Sequence, residues 1–285
     1  MSIDVGQTEH LKSWIGREKT DTDTLTPRLI TEFNATLHGL VPEPSAGATH
    51  LGIHWVLGPQ IADTPDLGSD GHPRTGDFLP PVPLPRRMWA GGEVRFLSEL
   101  REGDRVERRS RVSSVDQKNG KSGSLWFVAV DHETWTGRGL AATERQDIVY
   151  REMAAGPTPS PTAREQKEYT TRRTISLSEV LLFRYSAMTF NGHRIHYDIK
   201  YARDREHYPG LVVHGPLQAT ILMNEARRLL GRSPSVFSYR SVSPLILESS
   251  AEIVSEAMAD KGLSLSVLNA SGVVTMAAIA QAFSG

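Results

Sequence analysis

Nine residues near the middle of the chain, Ala154 to Thr162 (AAGPTPSPT), limit most strongly what it can fold into. Three prolines alternate with small residues there, fixing φ and withholding N–H donors, so neither a helix nor a sheet can run through. The chain is therefore read as two units, 1–155 and 169–285, joined by a linker at 156–168. The order of elements is the same on both sides: a helical section, then strands of period two joined by tight turns.

In the first unit Thr26 offers an N-cap and Pro27 a first helical residue, and Leu29, Ile30, Phe33 and Leu37 recur at helical spacing up to a stop at Gly39. Leu51 to Leu57, with Trp55, reads as a buried helix ended by Gly58-Pro59. Residues 59–85, rich in Pro, Gly and Asp, read as a long surface excursion. Alternation around Val94 and Phe96, then over 105–115, 124–135 and 138–150, predicts four antiparallel strands, with a turn at Lys118-Asn119-Gly120. In the second unit Ser176 and Glu179 have capping-box spacing and open a helix through Val180, Leu181, Phe183 and Arg184. A longer helix starts at Gly215-Pro216, presents Leu217, Ile221, Leu222, Ala226, Leu229 and Leu230, and stops at Gly231. Strands at 244–254, 263–268 and 273–283 complete the repeat. The fold class implied is α+β, each antiparallel sheet wrapped around a central helix and the two sheets joined edge to edge, which would cover edge strands.

At 285 residues, with 39% apolar and 23% charged, the composition is that of a folded soluble chain. A formal net charge of -1 gives no general attraction to nucleic acid or an anionic membrane. The absence of cysteine removes disulfides, thiolate nucleophiles and cysteine-ligated zinc. With no apolar run of membrane length and no signal-type start, a cytoplasmic setting is expected.

The two units differ in one respect. Where the first has a short connection between its helices, the second has the stretch 183–217, FRYSAMTFNGHRIHYDIKYARDREHYPGLVVHGPL, which holds His193, His196, His207 and His214 of the chain's 10 histidines. Long loops inside compact units usually carry function. Asn191 and His196 are five apart with Gly192 between them, and His214-Gly215-Pro216 opens the long helix. Pro216 has no N–H, so the Gly215 N–H stands at the positive end of the helix dipole, where a developing oxyanion is favoured. A base beside such a donor is what addition of water to an α,β-unsaturated thioester requires, and His196 has the intrinsic pKa to take and return a proton. A solvated or hydrogen-bonded loop histidine is the plainer alternative. His193, His196 and Asp198 have metal-ligand chemistry, but no helix is evident to present them and hydration needs no metal, so no metal is expected. Asp198 reads also as a helix cap, His207 as solvated and His214 as shaping the loop. Arg184, Arg194 and Arg240 could pair with a carboxylate or phosphate, a surface ion pair being the plainer reading for any one of them. Arg86-Arg87 lie where coenzyme A could be touched, and Trp89 serves equally as core.

The run Asn191-Gly-His-Arg-Ile-His196, with Val213-His214-Gly215 downstream, resembles the MaoC-like (R)-specific enoyl-CoA hydratase family, whose motif is D-x-N-P-[LIV]-H followed by His-Gly at the central helix. FNGHRIHYD and PLPRRMWAGGEVRF are similar to the subgroup that hydrates mesaconyl-C4-CoA or itaconyl-CoA to citramalyl-CoA. The resemblance covers both units. It implies a double hot-dog fold, a first unit that lacks the catalytic loop and helps bind coenzyme A, and catalysis by His196, Asn191 and Gly215. His193, Arg194, Arg184 and His214 are expected at the substrate. Coenzyme A enters as part of the substrate, with no separate cofactor, and a homodimer is compatible. The chain departs from the motif at Asn191, where the family has aspartate: an amide can position water but cannot take its proton. Dehydration of ordinary (R)-3-hydroxyacyl chains, a thioesterase, and a silent acyl-thioester binding protein are the alternatives.

Overall fold

The computed structural model describes residues 5–44, 47–120, 123–153, 156, 168–248, 250–259 and 261–282. Apart from 156 and 168, the expected linker lies outside them. The first unit contributes α1 (Val5–Lys12), β1 (Glu18–Thr24), α2 (Pro27–Leu37), β2 (Arg86–Phe96), β3 (Arg105–Gly120), β4 (Gly123–Thr136) and β5 (Gly139–Arg151). The second contributes β6 (Thr171–Ser176), α3 (Glu179–Met188), α4 (Ile199–Asp204), α5 (Gly215–Leu230), β7 (Val236–Ser241), β8 (Ser250–Ala257), β9 (Leu263–Leu268) and β10 (Val274–Gln281).

All ten strands join one antiparallel sheet, in the order β1-β3-β4-β5-β2-β7-β10-β9-β8-β6. Strands 1–5 fill one side and strands 6–10 the other, so the halves meet along β2 and β7, where Gly91 to Arg95 pair with Arg240 to Val236. The two outermost strands, EKTDTDT and TRRTIS, carry charge and hydroxyls in place of apolar alternation, which discourages further pairing.

Helix α5 packs against β7, β9 and β10 and is buried on every side from Leu217 to Ala226. Leu217, Ile221, Leu222, Met223 and Ala226 share one core with Ile253, Val267, Met276 and Phe237. An enclosed helix must satisfy its polar residues internally. Gln218 accepts from Thr275 Oγ1 at 2.8 Å, and Glu225 is held by Arg173 and Arg228. Asn224 pairs with one residue of the first unit as a strand would: its Oδ1 accepts from Leu51 N at 3.1 Å and its Nδ2 donates to Leu51 O at 2.9 Å.

Several expectations are corrected. Leu51 to Leu57 is buried but not a full helix: Ile53–Val56 forms a single 3-10 turn, since seven residues give too few i→i−4 bonds to offset nucleation. The first half of the sheet thus has no counterpart of α5. The stretch 59–85 is a surface excursion only as far as 77, because Phe78, Leu79, Val82 and Leu84, set among prolines, bury against Trp126, Val128 and Tyr150 in a second core. Ser176 ends β6 opposite Ser250, and the cap of α3 is Ser178, whose Oγ accepts from Leu181 N at 3.2 Å. The strand expected from 244 begins at Ser250; before it, Leu245 O and Leu247 N bond to Val213 N and Leu211 O at 2.8 and 2.7 Å. Strands β1, β6 and β7 and helix α1 were not anticipated, whereas α4 follows the cap expected at Asp198.

Replacing Asn224 by Ala would leave both backbone groups of Leu51 without partners in a dry core. The expected cost is about 2–5 kcal/mol, read as a lower denaturant midpoint at unchanged slope.

Candidate active site

Three consecutive structures bring the residues of 189–215 together. Helix α3 ends at Thr189, Phe190 takes φ 51, and the chain turns back with Asn191 N donating to Ser186 O at 2.8 Å. The Asn191 Oδ1 then accepts from His193 N at 3.0 Å, an Asx turn that leads into the 3-10 turn Arg194–His196. Asp198 caps α4, accepting from Tyr201 N at 2.9 Å, and residues 211–213 return alongside 245–247 to deliver His214 to the start of α5.

The outcome is a cavity of about 840 Å³ between the two halves of the sheet, lined by Asn191, His193, His196 and Gly215 from one side and by Arg86, Arg87 and Ile148 among others from the other side. Its place follows from the missing helix of the first half.

His196 is buried, and its Nδ1 donates to Val212 O at 2.7 Å. That bond fixes the tautomer and leaves the lone pair on Nε2. Burial first, then the neighbouring His214 and His193, hold the imidazole well below its ordinary range, so it is neutral at physiological pH. Behind it His214 stacks with ring centroids 3.6 Å apart and planes at 19°, while Ser186 Oγ lies 2.8 Å from His214 Nε2. Burial lowers His214 to about 3. Two neutral rings can stack this way; two imidazolium rings could not.

Gly215 is the first residue of α5, where N–H groups have no intrahelical partner. It lies so close to the Trp89 ring that a Cβ would stand 2.7 Å from Cε3. Trp89 is in turn stacked on Tyr239 at 4.4 Å. Glycine is thus the residue that lets the ring and the helix start meet at the cavity wall.

His193 lines the cavity, with Nε2 3.0 Å from Glu206 Oε1, and Glu206 Oε2 lies 3.5 Å from Arg86 Nε. Glu206, itself buried, was missed in the sequence because nothing in its spacing marks it. It is one of three acids among the four histidines, with Asp198 and Asp204. The excursion also reaches the site. Asp70 O accepts from Arg194 N at 2.9 Å, and Gly71 crosses Gly192 so closely that a Cβ on it would stand 1.9 Å from Gly192 O. His72 follows, its Nδ1 2.9 Å from Asp70 Oδ2 and its ring centroid 4.2 Å from that of His193.

Three residues expected at the substrate are corrected. Arg194 turns away from the cavity, bound to Asp198 at 2.7 Å and to Ser69 O at 3.1 Å, with its guanidinium over Tyr201. Arg184 is exposed on α3, outside the cavity, as Arg240 is on β7. His214 supports His196 from behind. His207 does not line the cavity, whereas Arg86, Arg87 and Trp89 do. The ligand set His193, His196 and Asp198 is not assembled, since Asp198 faces Arg194. Among the described residues Asp70, His72 and His193 bring possible ligand atoms within 4.8 Å of one another, and those groups already hydrogen-bond to one another or to Glu206.

The model of the hydroxyacyl-thioester dehydratase type 2 family matches residues 52–247. The chain belongs to that family. It is 43% identical over 236 residues, 82% of its length and 84% of the relative's, to mesaconyl-C(4)-CoA hydratase of Chloroflexus aurantiacus. In fold it is similar to a MaoC-like dehydratase from Phytophthora capsici (TM-score 0.70, 12% identity, 99% of this chain and 100% of that one). It is also similar to a Mycobacterium tuberculosis protein described as having a double hot-dog fold (TM-score 0.53, 15% identity, 94% and 96%). The fold is the double hot-dog that the family resemblance implied, with one half lacking its central helix.

Burial drives the pKa of His50, His54, His72, His132, His196 and His214 down, four of them to about 3. Below pH ~6.5 the unfolded chain protonates them and the folded chain does not. The unfolded state then binds more protons, and stability falls as pH falls, by up to about 1.4 kcal/mol per histidine per pH unit. A melting temperature lower by about 10 °C or more at pH 5 than at pH 7.5 is expected in a thermal scan.

Proposed function

We propose that this enzyme adds water across the double bond of an α,β-unsaturated acyl-CoA, with the hydration of mesaconyl-C4-CoA to citramalyl-CoA as the specific reaction. The observation that carries it is the pairing of a neutral, Nδ1-anchored His196 with the Gly215 N–H in one cavity. His196 Nε2 takes a proton from water as its oxygen attacks the β-carbon. Negative charge moves to the thioester oxygen, held by the Gly215 N–H and the positive end of α5. The imidazolium then gives the same proton to the α-carbon, which restores neutral His196 and balances the addition. Asn191, whose Oδ1 is engaged by His193 N, has its amide hydrogens left for water or substrate. The first unit, 1–155, supplies Arg86 and Arg87 to a wall that receives the anionic substrate, and coenzyme A needs no partner cofactor. The family description and the 43% identical relative support this reading. The same groups run in reverse dehydrate a 3-hydroxyacyl thioester.

Following the enoyl-thioester absorbance with mesaconyl-C4-CoA should show its loss with gain of one water by mass. His196→Ala is expected to lower kcat by about 10²–10⁴-fold, the usual worth of a general base; unaltered turnover would remove His196 from the mechanism. Asn191→Asp places a carboxylate where a substrate carboxylate would approach, and like charges repel. Its kcat/KM for mesaconyl-C4-CoA is expected to fall at least about tenfold relative to that for crotonyl-CoA, a discrimination typical of like-charge contacts.

A further inference from the structure

We propose that Arg87 recognises the second carboxylate of the substrate and so sets the preference of the site for a dicarboxylic acyl group. The inference rests on the substrate reading above and names the residue that reading leaves open. In a C4 thioester of mesaconate the free carboxylate is borne by the β-carbon, one bond from the atom that water attacks. Its partner must therefore lie at the base end of the cavity, not at the mouth.

Five cationic side chains line that cavity: Lys19, Arg86, Arg87, Arg108 and Arg151. Lys19 and Arg108 share Asp21 at 2.9 and 3.6 Å, and Arg108 also donates to Gly58 O. Arg86, buried beside Glu206 at 3.5 Å, has its charge offset. Arg151 is the last residue of β5, opposite Arg86 in register. Arg87 is half-buried, sits across from the neutral Tyr150, and has no acidic side chain within ion-pair distance among the described residues. A cation set this deep without an anion is costly, and a carboxylate can satisfy it through two parallel hydrogen bonds.

Its neighbours define the base end. The charge of Arg87 adds to burial in holding His72 down to about 3. His72 lies against His193, and His193 meets His196 edge-on at 5.5 Å between centroids. Two acids touch this row: Asp70 accepts from the N of His72 at 3.1 Å and lies 2.9 Å from its Nδ1, and Glu206 lies between His193 and Arg86 at 3.0 and 3.5 Å. Glu248, which also lines the cavity, is exposed. With Asn191 neutral, no carboxylate meets the Arg87 guanidinium within ion-pair distance among the described residues, and an acyl carboxylate would supply that partner.

The test compares kcat/KM for mesaconyl-C4-CoA and for crotonyl-CoA, which has the same thioester and no second carboxylate, in the full-length enzyme and in Arg87→Gln, Arg87→Lys and Arg151→Gln. In Arg87→Gln the ratio of the two is expected to fall about 100-fold, as for loss of one partner from a buried charge pair, with partial recovery in Arg87→Lys. Equal losses on both substrates, or a collapse of the ratio in Arg151→Gln in place of Arg87→Gln, would overturn the assignment. A wild-type enzyme with no preference for the dicarboxylic substrate would instead overturn the substrate reading, so the two failures are told apart by the parent enzyme alone.

Discussion

A helix enclosed on all sides has one end that the protein cannot easily satisfy. The first-turn N–H groups of α5 emerge where the sheet stops covering it, and they are the positive pole of a sixteen-residue dipole. In a core this dry such groups need a partner, and the fold supplies a cavity in place of one. The rest of the site is arranged around that deficit. Gly215 and Trp89 bring the helix start to the cavity wall, and Val212, two residues before the helix cap His214, supplies the carbonyl that orients His196.

The asymmetry of the two halves explains why the space exists. If 51–57 had formed a helix as long as α5, it would occupy the inner face of β2 and β5. It is a single 3-10 turn instead, tied back to α5 by Asn224. The cavity opened there is lined by Arg87, Trp89 and Ile148, and the loop 59–85 adds its own apolar core. A site that draws its proton chemistry from one half and its charge from the other follows from losing one helix, without any new element.

How much of this was legible depends on the kind of signal each part leaves. Helix α5 was readable from its Gly-Pro start, its apolar residues and Gly231, because a buried helix with clean caps obeys local rules. Asn191, His196 and Gly215 were readable as candidates from their residue types, and the fold brings the three to one cavity. Strand β1 was not, since EKTDTDT has no apolar face and is held by ladder hydrogen bonds and by ion pairs to β3 such as Asp21 with Arg108. The excursion misled because proline and glycine dominate its composition, while its burial rests on four apolar residues between them. Arg194 misled through position: it stands in the motif, yet Asp198 four residues on captures it along the turn. Glu206, His72 and Arg87 come from three separate segments, and only the tertiary fold brings them to one corner.

The electrostatics of the site keep His196 neutral. A histidine meant to accept a proton must be unprotonated beforehand, and an aspartate at 191 would stabilise its charged form. Here the nearby rings and burial push the other way, and Asn191 contributes no charge. That choice has a consequence for the imidazolium formed during turnover: the chain itself offers it little compensation, since Glu206 is spent on His193 and Arg86. An anionic substrate changes this. With the dicarboxylic substrate proposed above, its carboxylate and the enolate developing on the thioester would both lie close to the imidazolium, and the charge that an aspartate would otherwise supply would arrive with the substrate and leave with the product.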